Sequence, residues 1–119
     1  MREIRFRAWN KVTKIMVTDV INNCEDSFDM VLKHPQIYEV MQYTNFKDIH
    51  KTDVYEGDIL NVSEEYSGSY VPVFVVFSRG QFMAQVVNKS SSPFPLIETL
   101  IVYEIIGNIY ENKEMIENS

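Results

Sequence analysis

The sequence predicts a mainly β chain: a small antiparallel barrel, SH3-like or related, with an N-terminal hairpin and a short helical or extended C-terminal tail. Three observations predict it. Apolar and polar residues alternate with period two in several segments of strand length. Those segments are bounded by Gly, Asn, Asp and Ser, and no long segment carries apolar residues at helical spacing. Aromatic residues make up 13% of the 119, with seven Tyr and seven Phe, and flat rings suit a pleated, half-buried surface.

Residues 4–9 set Ile4, Phe6 and Ala8 against Arg5, Arg7 and Trp9, the alternation of a strand with one apolar face. Asn10 to Lys14 is a polar break, and Ile15-Met16-Val17 returns as the second arm of a hairpin. Thr18 to Met30 is polar and acidic, which predicts an irregular connection with room for one helical turn. Val31 to Pro35 is ambiguous. Gln36 to Tyr43 alternates again and predicts a strand, and residues 44–53 read as a polar loop.

Tyr55-Glu56-Gly57-Asp58 predicts a tight turn, because Gly takes positive φ and Asp accepts from nearby backbone N–H groups. Ile59 to Val62 enters the next strand, and Glu64 to Ser69 is a loop. Tyr70 to Phe77 is rich in β-branched residues, and Pro72 places its beginning at a sheet edge or strand entry. Ser78-Arg79-Gly80-Gln81 predicts a hairpin turn and Phe82 to Val87 its return strand. Asn88 to Pro95 reads as a mobile surface loop, and Leu100 to Ile106 as a buried strand ended by Gly107-Asn108. One domain over residues 1–119 is the expectation. The break near 18–35 allows a sub-division into a hairpin region, 1–35, and a barrel region, 36–119.

Composition excludes several classes. No segment approaches the ~20 consecutive apolar residues of a membrane span, and the first residues lack the apolar stretch of an export signal. The single cysteine, Cys24, has no internal partner, so a reducing cytoplasm is expected. Its neighbours Glu25 and Asp26 would raise a thiol pKa and suppress the nucleophilic thiolate. The net charge of −6 argues against general nucleic-acid binding. That charge is unevenly placed. Residues 1–14 hold five cations (Arg2, Arg5, Arg7, Lys11, Lys14) against Glu3. Residues 98–119 hold Glu98, Glu104, Glu111, Glu114 and Glu117 against Lys113, so the two ends could attract each other within or between subunits.

Three segments, met in order along the chain, together resemble the YopX family of phage and prophage proteins. They are Met1 to Asn10; Met41-Gln42-Tyr43-Thr44 with Tyr55-Glu56-Gly57-Asp58-Ile59; and Ile105-Ile106-Gly107-Asn108-Ile109-Tyr110-Glu111-Asn112. The chain departs from the family pattern at Asn10, where Asp is usual, and at Asn45-Phe46, where Gly-Leu is expected. Lys47 to Asp53 also lacks the usual Asn-Gly. Asn tolerates left-handed backbone, so these changes leave the fold expectation intact. The resemblance implies a phage-encoded, largely β protein acting in the cytoplasm of a bacterial host. It implies no established activity, and self-assembly fits it.

The residues that could carry chemistry have a structural reading beside the functional one. Tyr55, Gly57, Asp58, Gly107 and Asn108 read as structural turns. Asp53, Glu56 and Asp58 bring three carboxylates together without the denser series and closing Glu of a calcium loop. His34 and His50 stand apart without ligand partners at metal spacing, which predicts surface placement. There is no Gly-rich phosphate loop and no nucleophile-elbow motif, so neither a cofactor, a metal nor enzymatic activity is expected.

Arg5, Arg7 and Trp9 are the candidate interaction residues. An exposed indole beside cations would stack bases and grip phosphates; otherwise Trp9 packs at a domain or subunit boundary while the arginines pair with the acidic C-terminal segment. The combined expectation is a non-enzymatic, self-associating protein-interaction module. The alternatives are a nucleic-acid-binding barrel using the basic N-terminal strand, and an acidic inhibitor of a host protein.

Overall fold

The computed structural model describes residues 3–18, 20, 28–63, 70–87, 93–96 and 102–117. Cys24, the loop 64–69, the serine run 90–92 and residues 100 and 101 lie outside the described residues. The chain is mainly β and its strand pairings are antiparallel. It divides into two compact units, Met1–Tyr43 and Thr44–Ser119. The division falls inside a strand rather than at residue 35, because the first half of that strand pairs with the N-terminal hairpin.

In the N-terminal unit, β1 (Phe6–Asn10) and β2 (Ile15–Val17) form the expected hairpin, with Trp9 opposite Met16. Its turn is held by Asn10, whose Oδ1 accepts from Val12 N at 2.9 Å and Thr13 N at 3.0 Å, and by Lys14 at φ 59°. An Asn side chain thus closes the loop where the family pattern has Asp. A short helix, α1 (Phe28–Lys33), straddles the end of the irregular connection, where one helical turn had room, and the ambiguous stretch from Val31. At six residues it is too short to display a helical apolar period, and Val31 is its one buried side chain. β3 (Tyr38–Lys47) pairs with β1, Arg7 opposite Met41. Ala8, Val20, Val31 and Tyr38 make the small core of this unit, and Phe6 stacks on Phe28 with ring centroids 4.7 Å apart.

The C-terminal unit begins with the second half of β3. The polar loop expected from residue 44 starts only after Lys47, and β4 (Asp53–Tyr55) pairs back onto β3. Thr44 explains the difference. Its hydroxyl donates to Val54 O at 2.7 Å and accepts from Phe46 N at 3.1 Å, so it serves the ladder from within. Asn45 takes the left-handed conformation at φ 69°, as its tolerance for that region allows.

A five-stranded sheet follows, ordered β8-β7-β6-β5-β9, where β5 is Asp58–Ser63, β6 Tyr70–Ser78, β7 Gln81–Val86, β8 Phe94–Pro95 and β9 Val102–Asn108. It curls into a half-barrel, so the predicted barrel is realised open. One face carries Leu60 and Val62 of β5, Val73 and Val75 of β6, Ala84 of β7 and Tyr103 of β9, the two-residue repeat read from the sequence. Ile59, on the other face, is also fully buried, which is why β5 opens with a continuous apolar pair.

Arg79 (φ 52°) and Gly80 (φ 80°) make the β6–β7 turn, both left-handed as a two-residue hairpin needs. Pro72, expected at a sheet edge or strand entry, instead lies two residues inside the central strand β6, opposite Asn61 of β5. On its other side its carbonyl accepts from Val87 N at 3.0 Å, just before the β6–β7 register begins at Val73. Its missing N–H would have pointed to that same side, so the ladder loses little. Phe94–Pro95, expected in a mobile loop, instead add to the β7 edge, and Leu96 is buried behind them. The chain ends in a short helix, α2 (Glu114–Glu117).

The end of β9 is tightly fitted. A Cβ added to Gly107 would lie 2.5 Å from Asn112 Oδ1, the atom that accepts from Asn108 N at 3.1 Å. Gly107→Ala must therefore displace the Asn112 side chain and its hydrogen bond. We expect a loss of about 1–3 kcal/mol, read as a lower midpoint in urea at unchanged slope. A midpoint equal to that of the parent chain would show that the close approach carries no cost.

Candidate functional site

The sequence singles out two groups, and each falls within one unit. Arg5, Arg7 and Trp9 share the face of the β1 segment opposite Phe6 and Ala8, as alternation requires. Trp9 is only 7% exposed, so its indole is packed and is no stacking platform for bases. Arg5 and Arg7 are half-buried. The Arg5 guanidinium lies 4.2 Å from the centroid of the Tyr43 ring, a cation–π contact of about 1 kcal/mol, and its Nε stands 2.9 Å from Glu3. Tyr43 N donates to Arg5 O at 2.9 Å, so the same two residues are tied through backbone and side chain. Lys11 pairs with Glu39 at 2.9 Å. Arg5 and Lys11 thus meet carboxylates of their own unit, where the sequence had offered the acidic C-terminal segment.

The second group is a single knot of turn residues. Tyr55-Glu56-Gly57-Asp58 joins β4 to β5, with Gly57 at φ 85°. Asp58 is almost fully buried, and its Oδ2 accepts from Tyr55 N at 2.8 Å, the capping role read from the sequence. Gly57 N donates to Val75 O and Gly57 O accepts from Ile109 N, both at 2.9 Å, so the turn is bound on both sides. Across the ladder Asp58 faces Asn108 and Ile59 faces Gly107. The register then passes over Ile106, a bulge that bends β9. Asn108 closes the next turn: its Oδ1 accepts from Tyr110 N at 3.0 Å and Glu111 N at 2.8 Å. Gly57 thus serves its turn through a positive φ, and Asp58 and Asn108 serve theirs through side-chain oxygens that accept from backbone amides.

Asp48, inside the stretch read as a polar loop, is a heavily engaged carboxylate. It is 8% exposed. Its Oδ1 accepts from His50 N and Thr52 N, both at 2.9 Å, and its Oδ2 accepts from Ile105 N at 3.1 Å. Burial by itself would raise this carboxyl. The amides of Thr52, Ile105 and His50, with the nearby His50 ring, outweigh burial and hold the pKa below the ordinary 3.8. A local signal existed: Asp followed by residues whose amides fold back on it is an Asx-type turn. The bond to Ile105 had none.

The remaining titratable candidates are dispersed. Asp53 forms an ion pair with Lys47. His34 and His50 are exposed, and His50 Nε2 lies 3.3 Å from Glu104 Oε2. Among the described residues no group of three or more His, Cys, Asp or Glu is gathered as a metal site requires. No helix among them is long and apolar enough to cross a membrane.

A family model described as YopX protein matches residues 5–117. The chain belongs to the YopX family. Among solved structures it is similar to protein EF1440 from Enterococcus faecalis, with a TM-score of 0.70 and 21% identity, covering 98% of this chain and 100% of that one. That likeness speaks for the fold. A search of curated proteins finds no match.

Asp48 has a signed consequence for stability. Its folded pKa is depressed, so its contribution is complete above about 3.8 and is lost as pH falls below that value. Asp48→Asn should be less stable than the parent at neutral pH by roughly 1–3 kcal/mol. The gap should narrow in thermal unfolding scans taken from about pH 6 down to about pH 3. A gap independent of pH would exclude the carboxylate as its source.

Proposed function

We propose that this YopX-family chain is a non-enzymatic, self-associating protein-interaction module, phage-encoded and acting in the cytoplasm of the bacterial host. The phage and host parts rest on the family resemblance read from the sequence. One structural observation carries the interaction part: the β1–β2 hairpin holds out apolar side chains that a separate chain would bury. Val12 at its turn is 74% exposed and Ile15 on β2 is 60% exposed. Among the described residues β2 pairs with β1 alone, so its outer backbone edge is available to a strand from a second copy. Two such edges meeting about a two-fold axis satisfy each other.

The non-enzymatic part is supported by how the buried polar side chains are used. Thr44, Asp48, Asp58 and Asn108 each bond to backbone groups, which leaves them poorly placed for proton transfer to a substrate.

Light scattering on a size-exclusion column tests the self-association. The parent chain should run above its 14.0 kDa monomer mass at micromolar concentration. Val12→Lys with Ile15→Lys should return it to the monomer without lowering its thermal midpoint. A monomer at every micromolar concentration overturns the reading. Titration of labelled single- and double-stranded DNA and RNA at low salt examines the competing class. Saturable binding that disappears in Arg5→Ala with Arg7→Ala would replace the protein-contact reading, and the packed indole of Trp9 leads us to expect none.

A further inference from the structure

We infer that the loop from Asp48 to Thr52 is an edge guard: it occupies the outer edge of β9 in place of a sixth strand and keeps a second copy of the chain from adding to the sheet there. β9 ends the order β8-β7-β6-β5-β9, and its inner side is given to β5. In any strand, alternate residues send N–H and C=O to the same side. On β9 the groups pointing away from β5 include Tyr103 O and Ile105 N. An open edge would offer this acceptor and donor to any passing strand.

The loop meets both. Ile49 N donates to Tyr103 O at 3.1 Å, as a neighbouring strand would. Ile105 N donates to Asp48 Oδ2 at 3.1 Å, so a carboxylate stands where that strand's carbonyl would be. A carboxylate accepts more strongly than a carbonyl and cannot be propagated into a longer ladder. The same side chain holds the loop in shape. Its Oδ1 takes the amides of His50 and Thr52, while Asp48 N donates to Thr52 O at 3.0 Å and Lys51 N to Asp48 O at 2.9 Å. Lys51 sits at φ 64° to close this turn. Leaving the edge would strip the carboxylate of one of its three amide donors and leave the Ile105 amide without its acceptor. Outside the contact, His50 Nε2 lies 3.3 Å from Glu104 Oε2, and these polar side chains stand where an incoming strand would pass.

This inference concerns β9, whereas the proposed self-association uses β2, and either can fail alone. Amide hydrogen exchange on the full chain, with light scattering, tests it. Asp48→Ala should speed exchange of the Ile105 amide roughly tenfold or more while the β5–β6 amides keep theirs. It should also produce a species heavier than the parent's at matched concentration, and adding Ile15→Lys should not remove that species. Should Asp48→Ala fail to fold, Asp48→Asn keeps the volume and one acceptor oxygen and must move both readouts in the same direction. A folded variant with parental Ile105 exchange overturns the inference, and so does faster exchange with no change in mass.

Discussion

Backbone N–H groups that leave the ladder inside a folded chain still need acceptors, and this constraint organises the C-terminal unit. Four polar side chains are buried among the described residues: Thr44, Asp48, Asp58 and Asn108. Every one accepts from at least one backbone amide, at a turn or from within a strand. Each short bond is worth only about 1 kcal/mol net, but an orphaned buried amide costs more than a satisfied one gains. The turns therefore stand or fall with these side chains. Strand order follows from the turns, because Gly57 and Asp58 present β5 to β6 on one side and β9 on the other.

The three segments that resemble the YopX pattern are strand-pairing partners within each unit. The β1 segment lies against Met41 and Gln42 of β3. The Gly57-Asp58-Ile59 step lies against Gly107 and Asn108 across the β5–β9 ladder. Residues far apart in the chain are thus adjacent in register, and what the resemblance marks is the set of places where pairing is decided. Its Asn10 and Asn45 departures follow the same logic. One caps two amides and the other takes positive φ, which are backbone duties that Asn performs in place of Asp or Gly.

Long alternating strands and the tight turns were legible in the sequence because their signals are local. β1, β6, β7 and the Arg79-Gly80 turn announce themselves within a few residues. β4 and β8 do not: β4 has one fully buried residue, Val54, and β8 spans only Phe94–Pro95. Both exist because a neighbouring strand accepts them, and that information lies elsewhere in the chain. Asp48 is the sharpest case. Its turn amides are two and four residues away, but its third donor is Ile105, 57 positions along. The exposure of Trp9 was hidden for a related reason: alternation assigns a face to a side chain and says nothing of what covers that face.

The β6–β7 hairpin gives the molecule a convenient handle. Arg79 is exposed and already non-glycine at φ 52°, so exchanging its side chain leaves the backbone cost of that conformation in place. Gly80 beside it has nothing within 4 Å of its α-carbon's missing substituent. Just below, Phe77 and Phe82 meet edge to face at 5.1 Å and fasten the two arms. A cysteine at position 79, with Cys24 replaced, would carry a fluorophore or a surface tether clear of the sheet's packed interior, on an arm stiff enough to report the tumbling of the C-terminal unit.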